Sequence, residues 1–385
     1  MNFATARFLG RHRGNVRGVG ERRLVTVVVL LLLTALAGCG GHKSSVPSSP
    51  AEADATYFLS HYESADGRVV RWDQGGDTVS EGQAYAMLTA VAIGDRARFV
   101  AAWDWGRANL LQPDGLMAWH WDDGRVLDTQ SASDADVDAA SALALAGSRF
   151  QDPAYTAAAK AMAAAIAAHE VAVLAGGDVL TAGPWADTSD PVIDPSYDAP
   201  LDFDALAGLA GASAEWQLVE EGTRAEVAQV LRAEQLPPDW AVIDGQGQPV
   251  PTSGPASSSG PGLYGIDAVR VPIRLAASCN ASDRQMAAGM WRLLSGPAQD
   301  GKPLVGLDLD GAPSPSVSNS PIGLVGAAAA ARAGGQTAAA LTLLDRADSA
   351  NQSSPTYYTS AWLALARILL QTHLLGGCAA SASAA

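Results

Sequence analysis

Three short stretches of this 385-residue chain set carboxylates among hydroxyls, aromatic rings and an arginine, the residue types from which acid and base chemistry is built. In Thr78-Val79-Ser80-Glu81-Gly82-Gln83-Ala84-Tyr85, Ser80 is placed to cap a helix and Glu81 falls in its first turn. Taken alone, Glu81 is a carboxylate favoured by the helix dipole and nothing more. In Ser131-Ala132-Ser133-Asp134-Ala135-Asp136-Val137-Asp138, three aspartates lead into the apolar run 139–146. A calcium loop wants Gly at its sixth position and Glu at its twelfth; here those positions hold Ala139 and Leu145, so calcium does not fit. Capping accounts for one Asp but not three, and bunched carboxylates repel unless a substrate or a shared proton uses them. In Tyr264-Gly265-Ile266-Asp267-Ala268-Val269-Arg270-Val271-Pro272, Asp267 and Arg270 lie three apart, one helical turn. The arginine favours the ionised carboxylate, although an isolated surface pair of this kind contributes little.

The elements that must position these residues read as helices. From Thr56 to His373, Ala-rich and Leu-rich segments recur between Gly, Pro, Asp and Ser breakers, and alternating strand patterns are nearly absent. Helices are expected to begin near Thr56, Ser80, Asp95, Asp134, Asp152, Leu201, Glu221, Tyr264, Ser282, Asn319, Gln336 and Ser354. Several, such as 157–168 and 338–344, are apolar nearly all round, which implies burial between other helices. An all-α toroid of two concentric helix rings follows, with a cleft among the loops at one end. A helical solenoid is the rival, but no fixed repeat with a recurring signature runs through the chain.

A formal charge of −15 and the lack of a basic stripe make nucleic acid a poor partner; a neutral or cationic polymer suits better. A hydrophobic fraction of 48% against 17% charged residues excludes a disordered chain. Residues 1–38 read as an export signal: arginines at 7, 11, 13, 17, 22 and 23 precede the apolar run 24–37. That run is shorter than the about 20 residues a spanning helix needs. Leu36-Ala37-Gly38-Cys39 resembles a bacterial lipobox, which makes Cys39 the expected lipidated residue. Loss of residues 1–38, with six Arg and one Glu, leaves a charge of −20. Residues 39–53 are Gly/Ser/Pro-rich and read as a tether, 54–375 as one catalytic domain, and 376–385 as a flexible Ala/Ser tail. Cys279 and Cys378 remain in a compartment where disulfides persist. Their spacing does not show pairing, and the simpler expectation leaves both unpaired. No metal site is expected, since the histidines and cysteines lack ligand spacing.

Taken together and in this order, S-E-G-Q-x-Y, S-A-S-D-A-D and Y-x-x-D-A-x-R resemble the three motif blocks of glycoside hydrolase family 8. The resemblance is greatest to the endo-β-1,4-glucanases that accompany bacterial cellulose synthases. It extends through Asp66-Gly67-Arg68-Val69, Ala118-Trp119-His120-Trp121, Pro195-Ser196-Tyr197 and Pro238-Asp239-Trp240, and covers about residues 57–370.

The resemblance implies an (α/α)6 barrel of six inner and six outer helices with an open cleft, acting with inversion and without a cofactor. It puts Glu81 at the proton donor, Asp267 at the general base and Asp134 at a further aspartate that contacts the central sugar. Substrate contacts are expected from Tyr85, Trp119, Asp136, Tyr197, Tyr264 and Arg270, the last two flanking and orienting the base. Among the tryptophans, Trp72, Trp103, Trp105, Trp121 and Trp240 are further stacking candidates, although Trp103 and Trp105 lie on a helix and read better as core. Asp134 is expected to raise the pKa of Glu81 by repulsion, and Arg270 to lower that of Asp267. Two departures stand out: Asp198 and Ala199 after Tyr197, and a Ser/Pro/Gly-rich loop at 245–262 just before the base. No binding module is appended, which suits a soluble or nascent chain. The implied substrate is β-1,4-glucan, the implied setting a cellulose synthase complex. The product would be a monomeric envelope lipoprotein, with the outer membrane preferred because no Asp follows Cys39. Chitosan, xylan and mixed-linkage glucan are the rival substrates. An idle glycan-guiding lipoprotein and a purely structural scaffold are the rivals of another class.

Overall fold

Twelve α-helices run through the residues that the computed structural model describes: 47–209, 211–234, 236–255, 260–376 and 378. They are α1 (Pro50–Tyr62), α2 (Ser80–Ile93), α3 (Arg96–Asn109), α4 (Ser133–Arg149), α5 (Pro153–His169) and α6 (Pro200–Ala207). The second half holds α7 (Ser213–Glu234), α8 (Arg270–Ala277), α9 (Ala281–Asp300), α10 (Ile322–Ala333), α11 (Thr337–Ser353) and α12 (Tyr357–Gln371). The breakers act as caps: Asp95, Asp152 and Asn280 accept from backbone N–H groups of the first turns they precede, at 3.1, 3.1 and 2.9 Å.

The even-numbered helices pack side by side in chain order, and α12 returns to α2, closing an inner ring. The odd-numbered helices lie outside: α1 on α12, α3 on α2, α5 on α4, α7 on α6, α9 on α8 and α10, and α11 on α10. This is the (α/α)6 barrel. Ring membership shows in burial and corrects one expectation: the apolar runs 157–168 and 338–344, expected between other helices, lie on the outer α5 and α11, which bury five of seventeen residues each. Twelve of the fourteen residues of α2 are buried, whereas α3 of the same length buries five, so α2 has neighbours on every side and α3 on one. The inner ring is built largely of Ala, Gly, Leu and Val, whose small volumes let six helices converge. Removing each large buried apolar side chain, such as Phe58, Met87 or Phe99, from water contributes about 1.5–3 kcal/mol.

The near-absence of strands is corrected. Ten short strands form four small antiparallel sheets among the described residues. In one, β1 (Thr78–Val79) pairs β2 (Ala118–Asp122), which pairs β3 (Arg125–Ser131). Asp123-Gly124, both at positive φ, makes the tight turn between β2 and β3, a hairpin signal that helical periodicity hides. The expected loop 245–262 is in part a hairpin too, with Trp240–Ile243 paired to Pro249–Thr252.

Three helix starts also move. α1 begins at Pro50, capped by Ser49 and with Ala51 buried, so the tether ends before residue 53. α7 begins at 213 rather than 221, and α8 at Arg270 rather than Tyr264. Cys279 and Cys378 form a disulfide, which corrects their expected free state and ties down the near end of the 376–385 tail. The export signal 1–38 and Cys39 lie outside the described residues. No helix among the described residues is long and apolar enough to cross a membrane.

Candidate active site

The inner helices bring their N-terminal ends to one place. Glu81 lies in the first turn of α2, Asp134 in that of α4, and Tyr357 and Tyr358 open α12. Asp194 and Tyr197 sit on the turn before α6, while Asp267 immediately precedes α8, whose first residue is Arg270. Positive dipole ends gathered this way favour the carboxylates that the sequence sets there. Above them is a cleft of roughly 440 Å³, lined by Arg71, Glu81, Trp119, Asp134, Trp185, Tyr197, Trp240, Asp267 and Arg270 among others.

Arg270 is the hub. It is 1% exposed, and its Nη1 donates to Asp134 Oδ2 at 2.7 Å and to Tyr85 Oη at 3.2 Å. Nη2 donates to Asp194 Oδ2 at 3.3 Å and lies 3.3 Å from Asp267 Oδ1, while Nη1 is 3.7 Å from Glu81 Oε2. A buried arginine is tolerable because this ring of carboxylates neutralises it, and each carboxylate in turn depends on it. The 3.7 and 3.3 Å contacts end on two nitrogens of one planar guanidinium about 2.3 Å apart. The facing oxygens of Glu81 and Asp267 are therefore no more than about 9 Å apart.

Glu81 is held from both sides. Tyr85 donates to its Oε2 and Tyr357 to its Oε1, each at 3.2 Å. Tyr357 reaches it only because residue 82 is glycine: a Cβ there would lie 2.7 Å from the phenol oxygen. Burial, then the charge of Asp134, push the Glu81 pKa up to about 7, with Arg270 opposing. The repulsion from Asp134 is as expected, and burial outweighs it.

Asp267 is positioned by Asp239. The Asp239 Oδ1 accepts from the backbone N–H groups of Gly265, Asp267 and Ala268 at 3.1, 3.1 and 2.8 Å. Its Oδ2 would lie 1.9 Å from any Cβ on residue 265, so the turn requires Gly265. These bonds, rather than a helix from Tyr264, shape the segment before Arg270. The expectation that Arg270 holds Asp267 low is corrected: burial raises its pKa in spite of Arg270. A raised pKa makes the ionised carboxylate a stronger base.

Trp119 and Tyr197, the two expected sugar platforms, both line the cleft. Register irregularities in β2 about His120 separate Trp119 from Trp121, which packs on Trp105 at 5.2 Å. Trp103 and Trp105 are buried in the core. Tyr85, Asp136 and Tyr264 are each 0% exposed and lie beneath the cleft floor, so the expectation of direct sugar contact is corrected for them. Proximity to a motif block does not show which way a side chain turns. Tyr85 bridges Arg270 and Glu81, Asp136 accepts from the Met117 N–H at 2.8 Å, and Tyr264 pairs by its backbone with Leu307.

Sequence reasoning passed over Arg71, Trp185, Asp194, Tyr357 and Tyr358, and saw in Asp239 only a family motif. Trp185 stands 6.5 Å from Trp240, which is 6.4 Å from Tyr197, and Tyr197 lies under Arg270 at 5.2 Å, so one continuous aromatic wall leads to the carboxylates. The apolar faces of pyranose rings fit such a wall, with hydroxyls left to Arg71, Asp128 and Gln130 at its margins.

Comparison with known proteins gives the family and the fold. The sequence profile of Glycosyl hydrolases family 8 matches residues 23–373. A probable endoglucanase of Novacetimonas hansenii is 31% identical over 258 residues, 62% of this chain and 70% of that protein. An endoglucanase of Cellulomonas uda is 27% identical over 235 residues, 59% of this chain and 64% of that protein, just under two thirds of its length. The solved structure of endo-β-1,4-glucanase CMCax from Acetobacter xylinum superposes with a TM-score of 0.70 at 28% identity, covering 84% of this chain and 98% of that one.

Proposed function

This chain belongs to glycosyl hydrolase family 8, and from that premise we propose that it is an endo-acting β-1,4-glucanase that cleaves with inversion. The observation that carries the reading is the placement of Glu81 and Asp267 on either side of one buried arginine, at the floor of a cleft walled by tryptophan. Inversion needs one carboxylic acid to protonate the leaving oxygen and one carboxylate to activate water on the opposite face, about 6.5–9.5 Å away. With a pKa of about 7, Glu81 keeps its proton through the mildly acidic range and gives it to the glycosidic oxygen. Asp267 takes a proton from the water that attacks the anomeric carbon. Asp134, whose Oδ2 accepts from Arg270 and whose Oδ1 accepts from the Ala135 N–H at 2.8 Å, faces the cleft, has lone pairs left for the sugar at the cleavage point and keeps Glu81 from ionising early. Trp119, Trp185, Trp240 and Tyr197 hold the chain by its ring faces.

The setting is part of the same reading. The arginine-rich start, the apolar run and the lipobox-like Leu36-Ala37-Gly38-Cys39 support export and a lipid anchor at Cys39, with the outer membrane preferred. A monomer trimming cellulose beside its synthase is consistent with a cleft complete within one chain. The test is hydrolysis of carboxymethyl cellulose by the mature protein, beside chitosan and xylan, with the first anomer followed by NMR. Release of α-anomer supports the proposal, and β-anomer overturns inversion. Turnover of chitosan or xylan alone overturns the substrate, and binding without hydrolysis of all three moves a glycan-guiding role to the front.

A further inference from the structure

Trp72 is the one exposed large aromatic residue among the described residues: 63% of it is open to solvent, while every other Trp, Tyr and Phe there is at least partly buried. A single exposed apolar side chain is ordinary in itself, and what sets this indole apart is that it is held in place beside the cleft. Trp72 is held. Its ring N–H donates to the His61 carbonyl at 3.2 Å, at the end of α1. The turn that carries it is closed by bonds from the Gln74 and Gly76 N–H groups to the Arg71 carbonyl, at 2.9 and 3.0 Å.

Its position relates it to the cleft. The preceding residue, Arg71, lines the cleft and pairs with Asp77. The following residue, Asp73, accepts from the Tyr357 N–H at 3.0 Å, and Tyr357 is the residue whose phenol holds Glu81. The C-terminal end of α1 lies at the same end of the barrel, with Tyr62 edge-on and Phe58 tilted against Tyr357 at 6.0 and 6.3 Å. Trp72 therefore stands on the rim of the cleft, outside the wall formed by Trp119, Trp185, Trp240 and Tyr197.

We propose that Trp72 is an outlying sugar-stacking platform that binds a β-1,4-glucan chain where it runs past the catalytic cleft over the rim. The inference rests on the glucan reading above and adds to it a preference for long chains. Sugars within the cleft reach the aromatic wall without Trp72, and only a chain long enough to cross the rim gains from it.

The test compares wild type, Trp72→Ala and Trp72→Phe on cello-oligosaccharides of rising length and on carboxymethyl cellulose. Trp72→Ala is expected to raise KM about three- to tenfold for the polymer and the longest oligosaccharides, the loss of one stacked ring. On the shortest cleaved oligosaccharide its kcat and KM should equal those of wild type, and its thermal midpoint should be unchanged. Trp72→Phe should recover most of the loss. Equal KM for wild type and Trp72→Ala at every length overturns the platform while leaving the glucanase intact. An equal loss at every length makes Trp72 part of the cleft itself and also overturns the proposal. A wild type that cleaves no β-glucan overturns the glucan reading and this inference with it.

Discussion

Asp239 offers the sharpest test of how the base is set. Its one carboxylate oxygen gathers three backbone N–H groups at 2.8–3.1 Å, all from the turn that presents Asp267. In Asp239→Ala those donors lose their acceptor. Water replaces part of it at this half-buried site, so about 1 kcal/mol per bond, or about 3 kcal/mol of stability, is the expected loss. The kinetic effect is larger in proportion, because a shift of about 1 Å in a reacting group costs about 10²-fold. With the aromatic wall on other segments, kcat should fall about a hundredfold and KM by much less. Asp239→Asn keeps an acceptor oxygen and should restore most of kcat. Burial and the charge of Asp267 raise the Asp239 carboxyl to about 7, so it is already neutral in the acidic range and the amide mimics that form. The acidic limb of the pH–rate profile, set by ionisation of the base, should stay where it is in wild type, because burial, Arg270 and Asp134 rather than Asp239 govern the Asp267 carboxyl. The assay is reducing-sugar release from carboxymethyl cellulose from pH 4 to 9, with thermal unfolding alongside. An alanine variant that keeps the wild-type kcat would refute the positioning role, and so would an asparagine variant whose kcat is as low as that of alanine.

Three further outcomes are expected. Glu81→Gln should lower kcat about 10²–10⁴-fold with glucan binding retained, and the wild-type rate should fall as pH rises through about 7; a variant with most of its turnover would sink the acid assignment. Stability should be greater at pH 5 than at pH 8. Burial raises Glu63, Glu81, Asp202 and Asp239 to about 7 and Asp198 to about 8, so the folded state binds more protons than the unfolded state between about pH 4 and 8. That contribution is full below the unfolded values and is lost as pH rises through the folded ones, and a urea midpoint equal or higher at pH 8 contradicts it. Reduction of the Cys279–Cys378 disulfide, which spans 99 residues, should lower stability by up to about 4.7 kcal/mol, read as a lower urea midpoint in dithiothreitol; an unchanged midpoint would show that the cross-link constrains nothing.

Much of the barrel is legible in the chain because helix formation is local. Caps, breakers and apolar faces act within about four residues, so Asp95, Asp152 and Asn280 mark helix starts wherever the helices go. All-round apolar patterning does not assign the rings, since the apolar runs 157–168 and 338–344 lie on the outer helices α5 and α11. The three motif blocks likewise name Glu81, Asp134 and Asp267, and the structure brings all three to Arg270.

The remainder is decided by contacts between residues far apart in sequence. Tyr357 meets Glu81 and Asp73 only because the last inner helix closes on the first. Asp194 reaches Arg270 and Asp239 reaches the turn of Asp267 through loops whose paths depend on strand pairing. Whether Arg270 or burial governs the Asp267 pKa is likewise a matter of how much water the packed barrel excludes, and burial wins. The sequence by itself determined which residues are equipped for chemistry and which segments are helical, since both are properties of a residue and its near neighbours. Only the tertiary structure decided which carboxylates face one another, which tryptophans line the cleft and which stay in the core, because closing the ring of six helices is what sets those distances and that burial.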